Sequence, residues 1–159
     1  MTMLKFLFAM FLSFLPGFLG LIVAPVYSGQ DSWYATLNNS VLTPEGWVFS
    51  FIWTILYFLV GLALFYVMEK HSKTNRHDRA SAYTLFGLNI VLNTLWTFTF
   101  FGMHSPQAAI IVLTALIIVA IFMARAFYRI SVPACWLIVP YILWLMFAFY
   151  LNGMIIYLN

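Results

Sequence analysis

The chain has 159 residues, 65% of them apolar, 20% aromatic and only 7% charged, with a formal net charge of +3. Four acids and seven bases cannot cover a water-soluble domain of this size, which ordinarily carries about 25% charge, so lipid must be the solvent for most of the surface. The single Cys135 excludes an internal disulfide and a thiolate metal cage.

A membrane-spanning helix takes about 20 residues, so five would use about 100 and leave short connections. The expectation is an all-α membrane protein, five transmembrane helices in a single bundle, with one domain over residues 1–159. In chain order the apolar runs are 4–26, 47–68, 80–103, 107–127 and 134–158. The first run is longer than the apolar region of about 7–15 residues in a signal peptide, and Pro25 fits poorly at a cleavage point, so this span is expected to remain. Gly29, Gln30, Asp31 and Ser32 open the first loop; residues 69–79 form a charged second loop; His104, Ser105 and Pro106 make a tight third; residues 128–133 make the fourth.

With five spans, Lys5, Lys70, Lys73, Arg76, Arg79, Arg125 and Arg129 all fall on the amino-terminal side, and the other side has Asp31 and Glu45 but no base. By the positive-inside rule the amino terminus is inside, and the first loop and carboxyl terminus are outside. This pattern suits a bacterial-type plasma membrane, where the rule is read during helical insertion; the mitochondrial outer membrane, if the protein is eukaryotic, is implied only by the family resemblance given below. The basic loop is thus a topology signal and implies no nucleic-acid partner. The first loop, 27–46, exceeds the usual 2–8 residues between helices. Trp33, Tyr34, Leu37, Val41 and Leu42 give it apolar anchors, as expected of a lid over the outer mouth. The alternative is a segment lying on lipid headgroups through Trp33 and Tyr34.

No Asp, Glu, Lys, Arg or His falls well inside a span, which argues against proton relays, ion coupling and intramembrane hydrolysis. There is no paired carboxylate, catalytic triad, phosphate loop or metal-ligand spacing. His71, His77 and His104 read as solvated loop residues, and no cofactor is required. The odd span number and lack of a repeat also depart from inverted-repeat transporters. What the spans do carry is aromatic and amide stripes. Asn89, Asn93, Trp96 and Phe100 follow i, i+4, i+7, i+11; Phe49, Trp53, Tyr57 and Val60 do the same; Tyr141, Trp144, Ala148 and Leu151 line a face of the fifth span, with Asn152 beside it. Such stripes either pack helices together through interhelical amide bonds and rings or wall a flat cavity for a large aromatic ligand. Pro140 would kink the fifth span or free the carbonyl of Trp136.

Four ordered groups of residues resemble the translocator protein family, also called tryptophan-rich sensory proteins or peripheral-type benzodiazepine receptors. They are Trp33-Tyr34 with Leu37-Asn38, Pro44 and Trp47-Val48-Phe49; Trp53-Thr54-Ile55-Leu56-Tyr57; Asn93-Thr94-Leu95-Trp96-Thr97 with Phe100-Phe101-Gly102; and Val139-Pro140-Tyr141-Ile142-Leu143-Trp144 with Phe147-Ala148 and Leu151-Asn152. The resemblance implies a five-helix bundle, often a homodimer. It also implies a pocket beneath the first loop that binds porphyrins such as protoporphyrin IX and, in some members, sterols or synthetic ligands. Carried over by position, the ligand-facing residues are Tyr34, Pro44, Trp53, Asn93, Trp144 and Ala148, to which the stripes add Phe49, Tyr57, Trp96 and Tyr141.

The leading expectation is a receptor or carrier for a tetrapyrrole-like ligand. One alternative is a light- and oxygen-dependent porphyrin-degrading enzyme using Trp53 or Trp144, a chemistry the resemblance extends to from some bacterial members. The other is a structural or regulatory membrane subunit without a small-molecule ligand. Departures from the family pattern bear on the ligand. The first loop keeps one proline, lacks the usual lysine that could pair with a propionate, and has Glu45 instead. No base follows Asn152, so the sterol motif ending in Lys or Arg does not form there. Phe98 replaces a common proline, which predicts a straighter third helix, and Gly87 followed four residues later by Val91 is a poor small-residue dimer motif.

Overall fold

The computed structural model describes residues 2–23, 33–70 and 75–159. It contains five helices long and apolar enough to cross a membrane: α1 (Thr2–Val23), α2 (Gly46–Glu69), α3 (Arg76–Thr97), α4 (Pro106–Ile130) and α5 (Val132–Leu158). The predicted end of the first span at Val26, the opening of the first loop at Gly29 to Ser32, and His71 and Lys73 lie outside the described residues.

The helices extend further than the hydropathy runs because polar residues cap them. Asn75 accepts from the Asp78 backbone N–H at 2.8 Å, so Arg76 to Arg79 form the first turn of α3 and not a loop. Ser105 accepts from the Ala108 N–H at 3.3 Å, with Pro106 in the first turn of α4. The expected fourth loop shrinks to one residue: the Ser131 N–H closes α4 on the Phe127 carbonyl at 2.7 Å, and Ser131 is also the residue preceding α5. Arg125 and Arg129 are exposed on the last turns of α4, where long stems carry their charge to the membrane surface. α5 runs unbroken through Pro140, whose ring is exposed.

Neighbouring pairs α1–α2, α2–α5, α5–α4, α4–α3 and α3–α1 close a ring of five. Small residues set the tightest approach. Gly61 of α2 meets α1 so closely that a Cβ there would lie 2.5 Å from Ser13 Oγ and 2.9 Å from Met10 Sδ, and Gly17 of α1 faces the Tyr57 ring. At one end Lys5 bridges to Glu69 at 3.0 Å and Arg129 to Asp78 at 3.4 Å, and every described base lies at this end. The predicted straight third helix is not what forms. α3 widens into a π-helical turn over Phe98–Gly102, with Thr99 Oγ1 donating to the Leu95 and Trp96 carbonyls, both at 3.0 Å. His104 then reverses the chain at φ 51°.

Candidate ligand site under the first loop

Three helices contribute a polar chain across the middle of the ring. Tyr57 of α2 donates its hydroxyl to Asn93 Oδ1 at 3.1 Å; Asn93 Nδ2 donates to the Tyr141 hydroxyl of α5 at 2.9 Å; Tyr141 donates to Asn89 Oδ1 at 3.2 Å. Asn89, Asn93 and Tyr141 are almost wholly buried, where an unmade hydrogen bond is costly and a completed one fixes register.

Rings build outward from this floor. Trp53 stacks on Trp96 with centroids 5.9 Å apart, and contacts Tyr57 at 5.3 Å and the edge of Tyr141 at 6.3 Å. Trp96 continues to Phe100 at 5.8 Å, and Phe100 to Phe101 at 4.8 Å. On the α2–α5 side Phe49 meets Trp144 edge-on at 5.5 Å, and Trp144 meets Phe147 at 5.4 Å.

The described part of the first loop closes over these rings. A short 3-10 turn, Trp33–Thr36, sets Trp33 flat on His104 at 4.6 Å and edge-on to Phe100 at 5.7 Å. Tyr34 lies against Phe100 and Phe101 at 6.1 and 5.9 Å, and burial pushes its phenol above the ordinary tyrosine range. The loop is latched to the end of α5: the Asn38 N–H donates to Asn159 Oδ1 at 3.0 Å, and Asn159 Nδ2 returns a bond to the Asn38 carbonyl at 3.2 Å. Val41 and Leu42, expected to anchor the loop, instead project outward with 102% and 62% of their surface exposed. Residues 40–43 turn on the Ser40–Thr43 backbone bond, which leaves these two side chains at the tip. The anchoring falls to Trp33, Tyr34 and Leu37. Glu45 accepts from Trp47 Nε1 at 2.6 Å, at an exposed position.

Between lid and floor is a cavity of about 30 Å³, lined by Tyr34, Phe49, Trp96 and Ala148 from the expected set and by Phe100, Phe101, Leu151, Asn152 and Ile155 beyond it. Trp53, Tyr57, Asn93 and Tyr141 form the floor, Trp144 sits beside Phe49, and Pro44 is half-buried in the strand of chain leading to α2, away from the cavity lining. Phe101 was not readable from helical spacing, because the π turn adds a residue and brings adjacent Phe100 and Phe101 to one side. Asn152 is 2% exposed; its Nδ2 donates to the Pro106 carbonyl at 2.9 Å, while its Oδ1 has no partner. The buried Nε1 groups of Trp96 and Trp144 are also unpartnered, as is Asn89 Nδ2. The site thus offers broad ring faces and a few unmet polar atoms, in a volume far below the roughly 300–1,000 Å³ of pockets for drug-sized ligands.

Comparison with known proteins bears on the whole chain. The model of the TspO/MBR family matches residues 9–158. The tryptophan-rich protein TspO of Chlorobaculum tepidum is 37% identical over 148 residues, covering 89% of this chain and 92% of that protein. The tryptophan-rich protein TspO of Archaeoglobus fulgidus is 36% identical over 129 residues, 81% of each chain. A translocator protein from Bos taurus is 29% identical over 139 residues, covering 87% of this chain and 82% of its own.

Proposed function

Since the chain belongs to the TspO/MBR family and is a multi-pass integral membrane protein, we propose that it is a receptor or carrier for a porphyrin or a similar large, flat, hydrophobic ligand held among the rings beneath the first loop. The supporting observation is the concentration of Trp96, Phe100 and Phe49 around a small cavity, with Trp53 stacked on Trp96 and Trp144 edge-on to Phe49, where Trp96 Nε1 and Asn152 Oδ1 of the lining and Trp144 Nε1 beside it lack partners. Apolar walls with a few convergent polar groups are the ordinary make-up of a small-molecule site. A tetrapyrrole does not fit 30 Å³, so binding requires Trp33 and Tyr34 to part from Phe100 and Phe101, and the first loop acts as a lid. The basic end faces the cytoplasm by the positive-inside rule, which puts the lid and carboxyl terminus outside a bacterial-type plasma membrane. The site is built from one chain, so a homodimer is not needed to complete it.

The test is a titration of protoporphyrin IX into purified protein in the dark, followed by tryptophan quenching. Saturation at micromolar ligand is expected, with Trp144→Ala weakening affinity about threefold to tenfold, the size of one aromatic contact. Quenching that never saturates, or affinity unchanged by Trp144→Ala, sinks this assignment.

A further inference from the structure

A second and roomier cavity lies at the other end of the bundle. It is a cleft of about 440 Å³ between α1, α2 and α3, walled by Phe8, Leu12, Leu64, Met68, Tyr83 and Ile90. α2 and α3 both pack on α1 and not closely on each other, and the cleft occupies the gap this leaves. Its floor is widened by Gly87, beside which a Cβ would meet nothing within 4 Å.

The charges at its rim are placed by helical spacing. Lys5, Phe8 and Leu12 share one face of α1 at i, i+3, i+7; Arg79, Tyr83, Phe86 and Ile90 share one face of α3 at i, i+4, i+7, i+11. Each apolar stripe therefore ends at a cation where the helix reaches the membrane surface. Lys5 Nζ lies 3.5 Å from the carbonyl of Met68, itself a wall residue, and 3.0 Å from Glu69. From Arg79 to Ile90 the helix rises about 16 Å, close to half of a hydrocarbon core of about 30 Å. The cleft is thus one leaflet deep, apolar along its length and basic at its mouth.

We propose that this cleft is a binding site for an anionic phospholipid of the leaflet at the basic end, with one acyl chain between α1, α2 and α3 and the phosphate at Lys5 and Arg79. A second copy of the chain would bury the apolar walls equally well, but it would bring a second set of these cations to the same rim. Six described bases against two acids at this end favour an anion as the occupant. The site is separate from the ring-lined cavity and does not depend on its ligand.

The experiment compares thermal unfolding of the full chain in detergent micelles doped with phosphatidylglycerol or with phosphatidylcholine, with native mass spectrometry of the same samples. Phosphatidylglycerol is expected to raise Tm by about 5 °C more than phosphatidylcholine and to be retained at one molecule per chain. Lys5→Gln and Arg79→Gln should each weaken its apparent affinity about fivefold without altering the phosphatidylcholine response. Gly87→Trp, which fills the cleft, should abolish the difference between the lipids while leaving the helical circular dichroism unchanged. Equal stabilisation by the two lipids, or a preference that survives both charge variants, overturns the proposal. A dimer that retains no lipid and is dissociated by Gly87→Trp would assign the cleft to a second copy and overturn it too. The two rim variants keep the test decisive if Gly87→Trp does not fold.

Discussion

Replacing Asn93 by Leu removes the central link of the polar chain while keeping the branching and number of side-chain heavy atoms. Asn93 accepts from Tyr57 at 3.1 Å and donates to Tyr141 at 2.9 Å, and it is 1% exposed. Interhelical bonds inside a membrane bundle average about 0.6 kcal/mol and reach about 1.7. Losing two, and leaving the Tyr57 hydroxyl without its acceptor at about 1 kcal/mol or more, gives a destabilisation of about 2–4 kcal/mol. Asn89 is an internal control on the same stripe. It accepts one bond, from Tyr141, and its Nδ2 is already unpartnered, so Asn89→Leu loses one bond and leaves the buried Tyr141 hydroxyl without its acceptor, but also removes an unmet donor. Its net cost is about 1–2 kcal/mol. Both variants are to be unfolded by heat in the same detergent and followed by circular dichroism at 222 nm. Asn93→Leu should unfold several degrees below Asn89→Leu. Equal losses, or the reverse order, would refute the claim that the amide chain carries this energy and would leave the two residues as simple packing volume.

Gly61→Ala pushes a methyl against Ser13 Oγ and Met10 Sδ, and should cost about 1–3 kcal/mol of stability. Adding Ser13→Gly should recover part of that loss, whereas no recovery would mean α1 and α2 are not held by this contact. Asn159→Ala removes the side-chain pair that latches Asn38. Faster hydrogen exchange at the Asn38 amide and faster porphyrin association and release are expected; unchanged exchange would show that the latch does not hold the lid. The Tyr34 phenol is raised by burial, so its neutral form is the one that favours the closed lid. That contribution is complete below the ordinary tyrosine value of about 10 and is lost as pH rises through the raised folded value. Above about pH 10 the native protein should therefore lose Tm faster than Tyr34→Phe, and parallel curves would exclude a buried phenol.

Much of this architecture was legible because it depends on residue type at a fixed spacing. Lipid leaves little choice but helices, so apolar runs gave five spans, and the stripe Asn89, Asn93, Trp96, Phe100 proved to be one buried face of α3. What escaped depends on geometry between elements. The polar letters at 128–133 read as a loop, yet the backbone stays helical to Ile130, with Arg129 snorkelling to Asp78. Val41 and Leu42 are apolar letters that the turn at 40–43 directs outward. Phe101 enters the site through a π turn that no periodic template anticipates. The cleft beside Gly87 is a place where packing is absent, lined by apolar residues no different in type from those of the core.

The hydrogen-bond pattern also bears on the polar atoms of the candidate site. Asn93 is among the residues the resemblance makes ligand-facing, and both of its polar groups are engaged within the bundle. A ligand drawing on Asn93 would have to use its second amide N–H or lone pair, or displace those bonds and give up roughly what the new ones supply. Trp96 Nε1, Trp144 Nε1 and Asn152 Oδ1 have nothing to give up, so a bond made to any of them is a gain over the closed state. The propionate carboxylates at the edge of a tetrapyrrole accept hydrogen bonds, which makes them complementary to the two indole donors, whereas its ring nitrogens face into the macrocycle and leave Asn152 Oδ1 to a protonated carboxyl or a water. The same arithmetic reconciles the proposed ligand with a cavity of about 30 Å³. Parting Trp33 and Tyr34 from Phe100 and Phe101 costs a few ring contacts of about 0.5–1.5 kcal/mol each, and stacking the ligand in their place restores contacts of the same kind while satisfying the orphaned groups. Asn93, Tyr57 and Tyr141 then serve the site from below, holding α2, α3 and α5 in register as the lid opens.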